Sequence, residues 1–342
     1  MRFVEVLRSA GLSTLNKPSA QYGLSLVLGG AEVTLLDLTR LYASMSSSYQ
    51  CVADSTRLSR FPFTDRVALY NTFEAMRNVN RPDQMDWRRA VSTRQIAWKT
   101  GTSYGSRDGW AIGITPEYAV GVWAGNADGS SVADLTGART AGPVMFDLFN
   151  LLPATGWFDQ PSDSEGIVVT VCRQSGHIAS RNCSDTIRKL VPQEALKSRV
   201  CPYCQEVISN TDTHDSGTAM SRFVLPSEME HYYRTSHSSY RPTTLAEGQL
   251  TTRIDFQPMH IIYPTDGCVI SLPRLADGSI SSLNCTVAHN ESAAEVFWHL
   301  DNCYLGSTKD VHQMSLHLTA GVHRITVVDS HGNEQSAYII VT

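Results

Sequence analysis

The fold is decided by one stretch, residues 97–129, which reads AWKTGTSYGSRDGWAIGITPEYAVGVWAGNADG. Three apolar runs cover residues 95–103, 110–115 and 119–124, and turn-forming residues such as Gly105 and Pro116 separate them. Short apolar runs joined by turns are typical of neighbouring antiparallel strands. The stretch therefore predicts an antiparallel meander.

Helical patterns lie on both sides of this meander. Thr34 and Asp37 have the spacing of an N-cap and an acidic residue in the first turn, so they predict a helix over 35–45. Apolar periodicity predicts two more helices, over 66–78 and 142–152. Helices before and after an antiparallel sheet indicate an α+β domain over residues 1–156.

The remaining chain changes character twice. Residues 157–255 contain a cysteine cluster and a Ser/Thr/His-rich stretch but little regular pattern, so we predict an irregular Cys-rich linker module. Residues 256–342 contain short alternating runs split by Gly and Asp turns, at 261–263, 295–300, 323–328 and 337–342. That spacing predicts an all-β sandwich as the C-terminal domain.

The bulk composition is that of a globular protein, with 342 residues, 42% hydrophobic, 18% charged and a net charge of −5. No Lys/Arg-rich run is present, which argues against binding to nucleic acid or to an anionic membrane surface. The sequence shows no signal peptide and no apolar run of the roughly 20 residues that span a bilayer. Clustered cysteines indicate an exported protein, whereas the sequence carries no export signal. We therefore expect the chain to be the C-terminal part of a longer protein.

Four of the eight cysteines lie between Cys172 and Cys204, which indicates either disulfides or a metal site. Cys201 and Cys204 have the C-x-x-C spacing of a zinc knuckle, but Cys172 and Cys183 are too far apart for a standard zinc ribbon. Disulfides are therefore preferred to zinc, with Cys172 paired to Cys183 and Cys201 paired to Cys204 or elsewhere. No metal is predicted, and the connectivity stays open.

The strand that begins the meander carries residues suited to acyl-transfer chemistry. Lys99 offers an ammonium that can hold a carboxylate or move a proton. Thr100 and Thr102 lie two apart and so point to the same face, where their hydroxyls can bind an anionic end group. Gly101 lets an extended peptide approach as an added strand, and the Thr102 N–H can contribute to an oxyanion hole. On its own, however, K-T-G is a common strand tripeptide without a function.

In context, the run resembles the third active-site motif of the penicillin-binding proteins, the serine D,D-transpeptidases that cross-link peptidoglycan. In that family the motif K-T-G-[TS] precedes an aromatic-plus-Gly strand and a V-x-W-x-G-N strand, which residues 110–113 and 120–126 match here. Residues 22–37 resemble the helix-entry segment of class A members. Residues 172–204 and 264–342 resemble the tail of the 1C group, although the family often carries a His at the position of Cys204.

The resemblance implies a partial penicillin-binding, serine β-lactamase-like transpeptidase domain. It implies catalytic roles for Lys99, Thr100 and Gly101 and substrate binding by Thr100, Thr102 and Ser103. The implied partners are peptidoglycan stem peptides ending in D-Ala-D-Ala, β-lactams, a missing N-terminal transpeptidase and glycosyltransferase part, and a cell-wall protein bound by the C-terminal domain. It implies no cofactor, and a periplasmic location with an anchor outside this sequence.

The nucleophile of that reaction is absent from the sequence. The family places its serine in S-x-x-K, where the lysine takes the proton, and no lysine here has a serine three residues before it. The second motif, S-x-N, occurs only at Ser180-Arg-Asn182 and Ser282-Leu-Asn284, after Lys99 instead of before it. We therefore expect the chain to be inactive by itself. The alternative is a stand-alone periplasmic peptidoglycan-binding or scaffold protein, which an upstream reading frame with both motifs would eliminate.

Overall fold

The structure is a computed structural model that describes residues 3–50, 65–79, 81, 94–208, 219–237, 240, 249–250, 257–273, 280–291 and 293–342. The chain divides into two compact units. The first comprises residues 1–169 and 188–197, and the second comprises residues 170–187 and 198–342. Among the described residues, no helix combines the length and the apolar sequence needed to cross a bilayer.

The first unit is an α+β unit built on one antiparallel sheet, as predicted. Its helices are α1 (Phe3–Ser9), α2 (Ser19–Tyr22), α3 (Leu35–Gln50), α4 (Arg66–Arg77) and α5 (Ala141–Leu151). Its sheet contains β1 (Ala97–Thr102), β2 (Asp108–Ile114) and β3 (Ala119–Gly125), in that order. The predicted meander and the three predicted helices are confirmed, and the predicted cap on α3 forms, because the Asp37 N–H donates to Thr34 Oγ1 (3.0 Å).

Helices cover both faces of this sheet. Since side chains alternate along a strand, Ala97 and Trp98 enter different cores. Ala97 packs in a cluster with residues of α3 and α4, among them Tyr49 and Phe73, whereas Trp98 packs in a cluster with α5, including Phe149. This double burial explains why the meander is apolar almost throughout instead of alternating with polar residues.

Gly121 of β3 allows α3 to approach the sheet closely. A Cβ placed on Gly121 would lie 2.0 Å from Thr39 Oγ1 and 2.9 Å from Ile112 Cδ1. Those distances are far below van der Waals contact, so a larger residue would push α3 away from the sheet.

The middle of the chain contains more regular structure than its sequence pattern indicates. It holds β4 (Ile167–Cys172), β5 (Thr186–Val191), β6 (Cys204–Ile208), β7 (Ala219–Phe223), α6 (Ser227–Ser236) and β8 (Gln249–Leu250). β4 pairs with β5, and β6 lies between β7 and β8 in a second small sheet. β5, β6 and β7 are short and mix apolar with polar residues, which explains why the sequence predicted an irregular module. β4 differs, because its sequence IVVTVC is a run of β-branched residues typical of a strand, although no strand was predicted there.

The C-terminal part of the second unit is built of β9 (Met259–Tyr263), β10 (Cys268–Ile270), β11 (Leu283–His289), β12 (Glu295–Leu300), β13 (Cys303–Lys309), β14 (Gln313–Leu316), β15 (Gly321–Asp329) and β16 (Glu334–Val341). They form a sheet in the order β10-β16-β15-β12-β13 and another in the order β14-β11-β9. Side chains from both sheets, including Trp298, Cys285 and Ile339, make one buried core.

One buried polar pair lies within this β-rich part. The Nε2 atom of His289 lies 3.1 Å from Asp329 Oδ2, and the two side chains are 1% and 0% exposed. Asp329 also accepts hydrogen bonds from the backbone N–H groups of His331 (2.9 Å) and Asn333 (2.8 Å). Burial alone would raise the pKa of Asp329, but these hydrogen bonds, with those from the side chains of Asn333 and His289, lower it.

Candidate functional site

The first candidate site is the outer edge of β1. Within the described part of the chain, β1 pairs only with β2 and so lies at the edge of its sheet. The Ser103 N–H donates to Asp108 O (3.0 Å), so the backbone of Ser103 points toward β2. Two residues earlier in β1, Gly101 pairs with Trp110 of β2. In an antiparallel ladder, alternate residues direct their backbone groups to the same neighbour. Thr100 and Thr102 therefore direct their N–H and C=O groups to the unpaired edge.

Lys99 supplies a positive charge beside this edge. Its side chain is exposed, and its Nζ donates to the carbonyl of Thr100 (2.6 Å), one of the groups at the unpaired edge. By strand alternation, Lys99 and Gly101 lie on the face of Ala97, while Thr100 and Thr102 lie on the face of Trp98. The charge and the two hydroxyls therefore flank the edge from opposite faces of the sheet.

Thr102 is positioned by a residue that the sequence did not single out. The N–H of buried Gly137 donates to Thr102 Oγ1 (3.0 Å). A Cβ on Gly137 would lie 2.3 Å from the Gly101 carbonyl oxygen and 2.4 Å from that of Trp110, so only glycine allows this contact. Because the Thr102 oxygen already accepts a hydrogen bond, its own O–H is left to donate to an anion.

Ser103 lies at the start of the turn between β1 and β2. Its Oγ accepts a hydrogen bond from the Asp108 N–H (2.8 Å). Asp108 in turn accepts one from Trp123 Nε1 (2.9 Å) through its Oδ1 atom. The Ser103 hydroxyl therefore fixes the turn and keeps its own hydrogen for another acceptor. Asp108 and Trp123 support this end of the edge. Their hydrogen bond depends on the register of β2 and β3, so the sequence alone did not predict it.

The second candidate site is a group of four cysteines in the second unit. The Sγ atoms of Cys172, Cys183, Cys201 and Cys204 all lie within 4.8 Å of one another. The Sγ atoms of Cys172 and Cys204 are 3.7 Å apart, and all four thiols are free. The sequence grouped these residues but paired Cys172 with Cys183, a pairing that stays a prediction.

Hydrogen bonding and burial act differently on two of these thiols. Burial raises the pKa of Cys172, but hydrogen bonds from the side chain and backbone of Ser175 and from the backbone of Gln174 outweigh it and bring the pKa to about 7. Burial and the neighbouring thiols raise the pKa of Cys204.

Comparison with known proteins finds two similarities. Residues 249–341 match the Penicillin-Binding Protein C-terminus Family. Over 156 residues, 44% of this chain, the sequence is 33% identical to penicillin-binding protein 1C of Escherichia coli (strain K12). The matched parts of the chain are therefore similar to penicillin-binding proteins. The chain spans 20% of the length of this curated penicillin-binding protein.

Two solved structures show weaker likenesses. Penicillin-binding protein 1A from Haemophilus influenzae aligns with 55% of this chain and 36% of its own, at 17% identity and a TM-score of 0.41. The fibronectin(III)-like modules of CbhA from Clostridium thermocellum align with 25% of this chain and 95% of their own, at 18% identity and a TM-score of 0.20.

Proposed function

We propose that this chain supplies the substrate-binding strand of a peptidoglycan D,D-transpeptidase. The observation that carries the proposal is the unpaired edge of β1, where Thr100 and Thr102 present backbone donors and acceptors beside the Lys99 ammonium. An extended stem peptide adds to such an edge as a further strand, held by main-chain hydrogen bonds.

Each residue of the edge has a role in this proposal. The terminal carboxylate of a D-Ala-D-Ala end is held by the hydroxyls of Thr100, Thr102 and Ser103 and by the charge of Lys99. The Thr102 N–H donates to the oxygen of the carbonyl that is attacked. Gly101 lets the peptide approach the strand closely, because it has no Cβ to occupy the binding face.

The chain by itself binds without catalysis. Acyl transfer needs an activated serine, and the sequence contains no S-x-x-K. Loss of the nucleophile lowers the rate of such enzymes by several orders of magnitude even when the oxyanion donors remain. In the full transpeptidase we place Lys99, Thr100 and Gly101 opposite a serine supplied by another part of the protein.

The family also supports a wider setting. We assign the protein to the cell envelope, in the periplasm, with peptidoglycan and β-lactams as the ligands of the complete enzyme. Residues 1–156 then form part of the transpeptidase domain, residues 157–255 a Cys-rich linker and residues 256–342 a β-sandwich that binds a cell-wall protein.

Two measurements on the purified full chain test the proposal. Incubation with a fluorescent penicillin gives no covalent adduct, because the serine is lacking. Titration with a peptide ending in D-Ala-D-Ala shifts the NMR amide signals of residues 99–103 reversibly, with a Kd of about 1 mM, which corresponds to about −4 kcal/mol.

Matched variants give this test its controls. Thr100→Val lowers the peptide affinity, whereas Thr186→Val, at an exposed position of β5, leaves it unchanged. A peptide ending in L-Ala-L-Ala binds more weakly than the D,D form. A covalent penicillin adduct would disprove the inactive-chain proposal, and equal binding of the two peptides would disprove the role of the β1 edge.

A further inference from the structure

We propose that Cys172, Cys183, Cys201 and Cys204 bind one zinc ion as a tetrathiolate site that stabilises the module formed by residues 170–187 and 198–208 of the second unit. The proposal is independent of the transpeptidase function, since it concerns the second unit and no residue of β1.

The arrangement of the sulfurs fits a metal better than disulfides. Four thiolates placed about 2.3 Å from a common tetrahedral zinc ion lie about 3.8 Å from one another. The Sγ atoms of Cys172 and Cys204 are 3.7 Å apart, and all four Sγ atoms fall within 4.8 Å of one another. Two disulfides would join the sulfurs in two pairs, each about 2.05 Å apart, and nothing would require one pair to lie close to the other.

Three short pieces of backbone bring the thiols together. Cys172 ends β4, and the chain turns there, with the Gly176 N–H donating to Cys172 O (2.8 Å). The Cys183 N–H donates to Ser180 O (3.1 Å) in a second turn. Cys201 and Cys204 enclose the short loop before β6, where the Cys201 N–H donates to Ile178 O (2.7 Å). Tight turns with C-x-x-C spacing are typical of the loops that present zinc ligands.

Polar groups around the sulfurs favour thiolates. The Ser175 Oγ donates to Cys201 Sγ (3.2 Å), and the backbone N–H of Ser180 donates to Cys183 Sγ (3.3 Å). Such donors orient the ligands of a metal site and stabilise their negative charge. Each thiol releases its proton to solvent as its sulfur binds the metal.

Among the described residues, the buried cluster of this module is small. It consists of Cys172, Cys201 and Cys204, with Cys183, Tyr203 and Phe223 packed against them. A cluster of this size buries little apolar surface, so a metal cross-link through the sulfurs adds stability that packing alone does not supply. Zinc is the metal we assign, because a closed tetrahedral set of four thiolates is typical of structural zinc sites.

The spacing argument that favoured disulfides weighs separation along the chain and not separation in space. It considered Cys172 and Cys183 as one ligand pair, as in a zinc ribbon, and found them too far apart in sequence. In the fold, Cys172 lies close to Cys204 as well as to Cys183, because β4 and the loop before β6 meet at the cluster. Separation in sequence therefore does not exclude this ligand set.

Metal analysis of the purified full chain tests the proposal. Mass spectrometry of the metals gives about one zinc ion per chain. Alkylation in denaturant with chelator, followed by peptide mass mapping, shows Cys172, Cys183, Cys201 and Cys204 reduced. Cys201→Ser lowers the zinc content at least about tenfold. Cys303→Ser, which replaces an exposed cysteine of β13, is the matched control and retains the zinc.

A second readout separates loss of metal from loss of folding. Removing zinc with a chelator increases backbone hydrogen exchange in residues 170–187 and 198–208, and adding zinc back restores protection, while β1–β3 exchange as before. A Cys172–Cys183 disulfide found by peptide mass mapping, stoichiometric iron in place of zinc, or a chain without metal that takes up no added zinc would each overturn the proposal.

Discussion

At the scale of single residues, the Thr102 hydroxyl is the group that connects the fold to the site. It accepts a hydrogen bond from the buried Gly137 N–H and keeps its own hydrogen for a ligand. Valine has the shape of threonine without the hydroxyl. At position 102 it would remove the hydrogen bond from Gly137 and the donor to a ligand, and it would leave the packing unchanged.

We expect Thr102→Val to reduce the stability of the first unit by about 1 kcal/mol, because it leaves the buried Gly137 N–H without its acceptor. Hydrogen exchange at Gly137 measures the effect, since its amide should lose protection. Thr102→Ser keeps the hydroxyl and should behave as the unchanged chain. Equal protection of Gly137 in the valine and serine variants would show that this hydrogen bond contributes nothing to stability.

Asp329 offers a second test at this scale. Its removal in Asp329→Ala leaves His289 buried without its partner, and breaking a buried pair in this way costs about 3 kcal/mol. Native-state hydrogen exchange in β12, β15 and β16 reports the loss. Asp266→Ala, at an exposed carboxylate that accepts a hydrogen bond from the Tyr338 N–H, is the comparison and should cost much less.

The pH dependence of the Asp329 contribution follows from the lowered pKa of this carboxyl. A depressed folded-state pKa means that the stabilisation is fully present above the unfolded value of about 3.9 and is lost as the pH falls through the folded value. The stability difference between the unchanged chain and Asp329→Ala should therefore shrink below about pH 4. Urea unfolding followed over a pH series checks this, and a difference that grows in acid would contradict the assignment.

At the scale of elements, the packing of α3 on β3 depends on Gly121. We expect Gly121→Ala to cost about 2 kcal/mol, because the new Cβ would overlap Thr39 Oγ1. Thermal unfolding of the first unit measures the loss. The second substitution, Thr39→Ala, should restore part of the stability because it removes the Oγ1 atom that the new Cβ overlaps.

Gly156→Ala is the control for this pair of variants, because a Cβ there meets nothing within 4 Å. It should leave the unfolding temperature unchanged. If Thr39→Ala gave no recovery in the Gly121→Ala background, the close approach of α3 would not be the cause of the loss.

The sequence predicted some elements better than others. Elements set by neighbouring residues were predicted, whereas elements that depend on distant segments were not. β1–β3 and the helices α3, α4 and α5 are set by local signals: apolar runs, turn residues and the Thr34 cap. Their predicted ends moved by a few residues at most, except for α3, which runs on to Gln50. Short strands of mixed composition such as β6 carry weak local signals and were missed, and β4 was missed although its β-branched run is typical of a strand.

The candidate sites show the same limit. The residues of the Lys99 strand could be picked out because they are adjacent, and the face shared by Thr100 and Thr102 follows from the strand period. The contact from Gly137 and the meeting of Cys172 with Cys204 depend on distant segments coming together. A single sequence carries no direct signal for such contacts.

At the scale of the whole molecule, the cores are separate. The clusters around Phe73 and Phe149 belong to the first unit, and the cluster around Trp298 belongs to the second. Each substitution considered above alters only one of these cores, so each should act on the unit that contains it.

We therefore expect two unfolding transitions, with Gly121→Ala lowering the midpoint of one and Asp329→Ala lowering that of the other. The double variant should show both shifts at their single-variant sizes, since substitutions in different cores that share no partner are additive within about 0.5 kcal/mol. Hydrogen exchange with mass spectrometry assigns each transition to its residues. A single cooperative transition displaced by either substitution would contradict this, because it would mean that the two cores unfold as one.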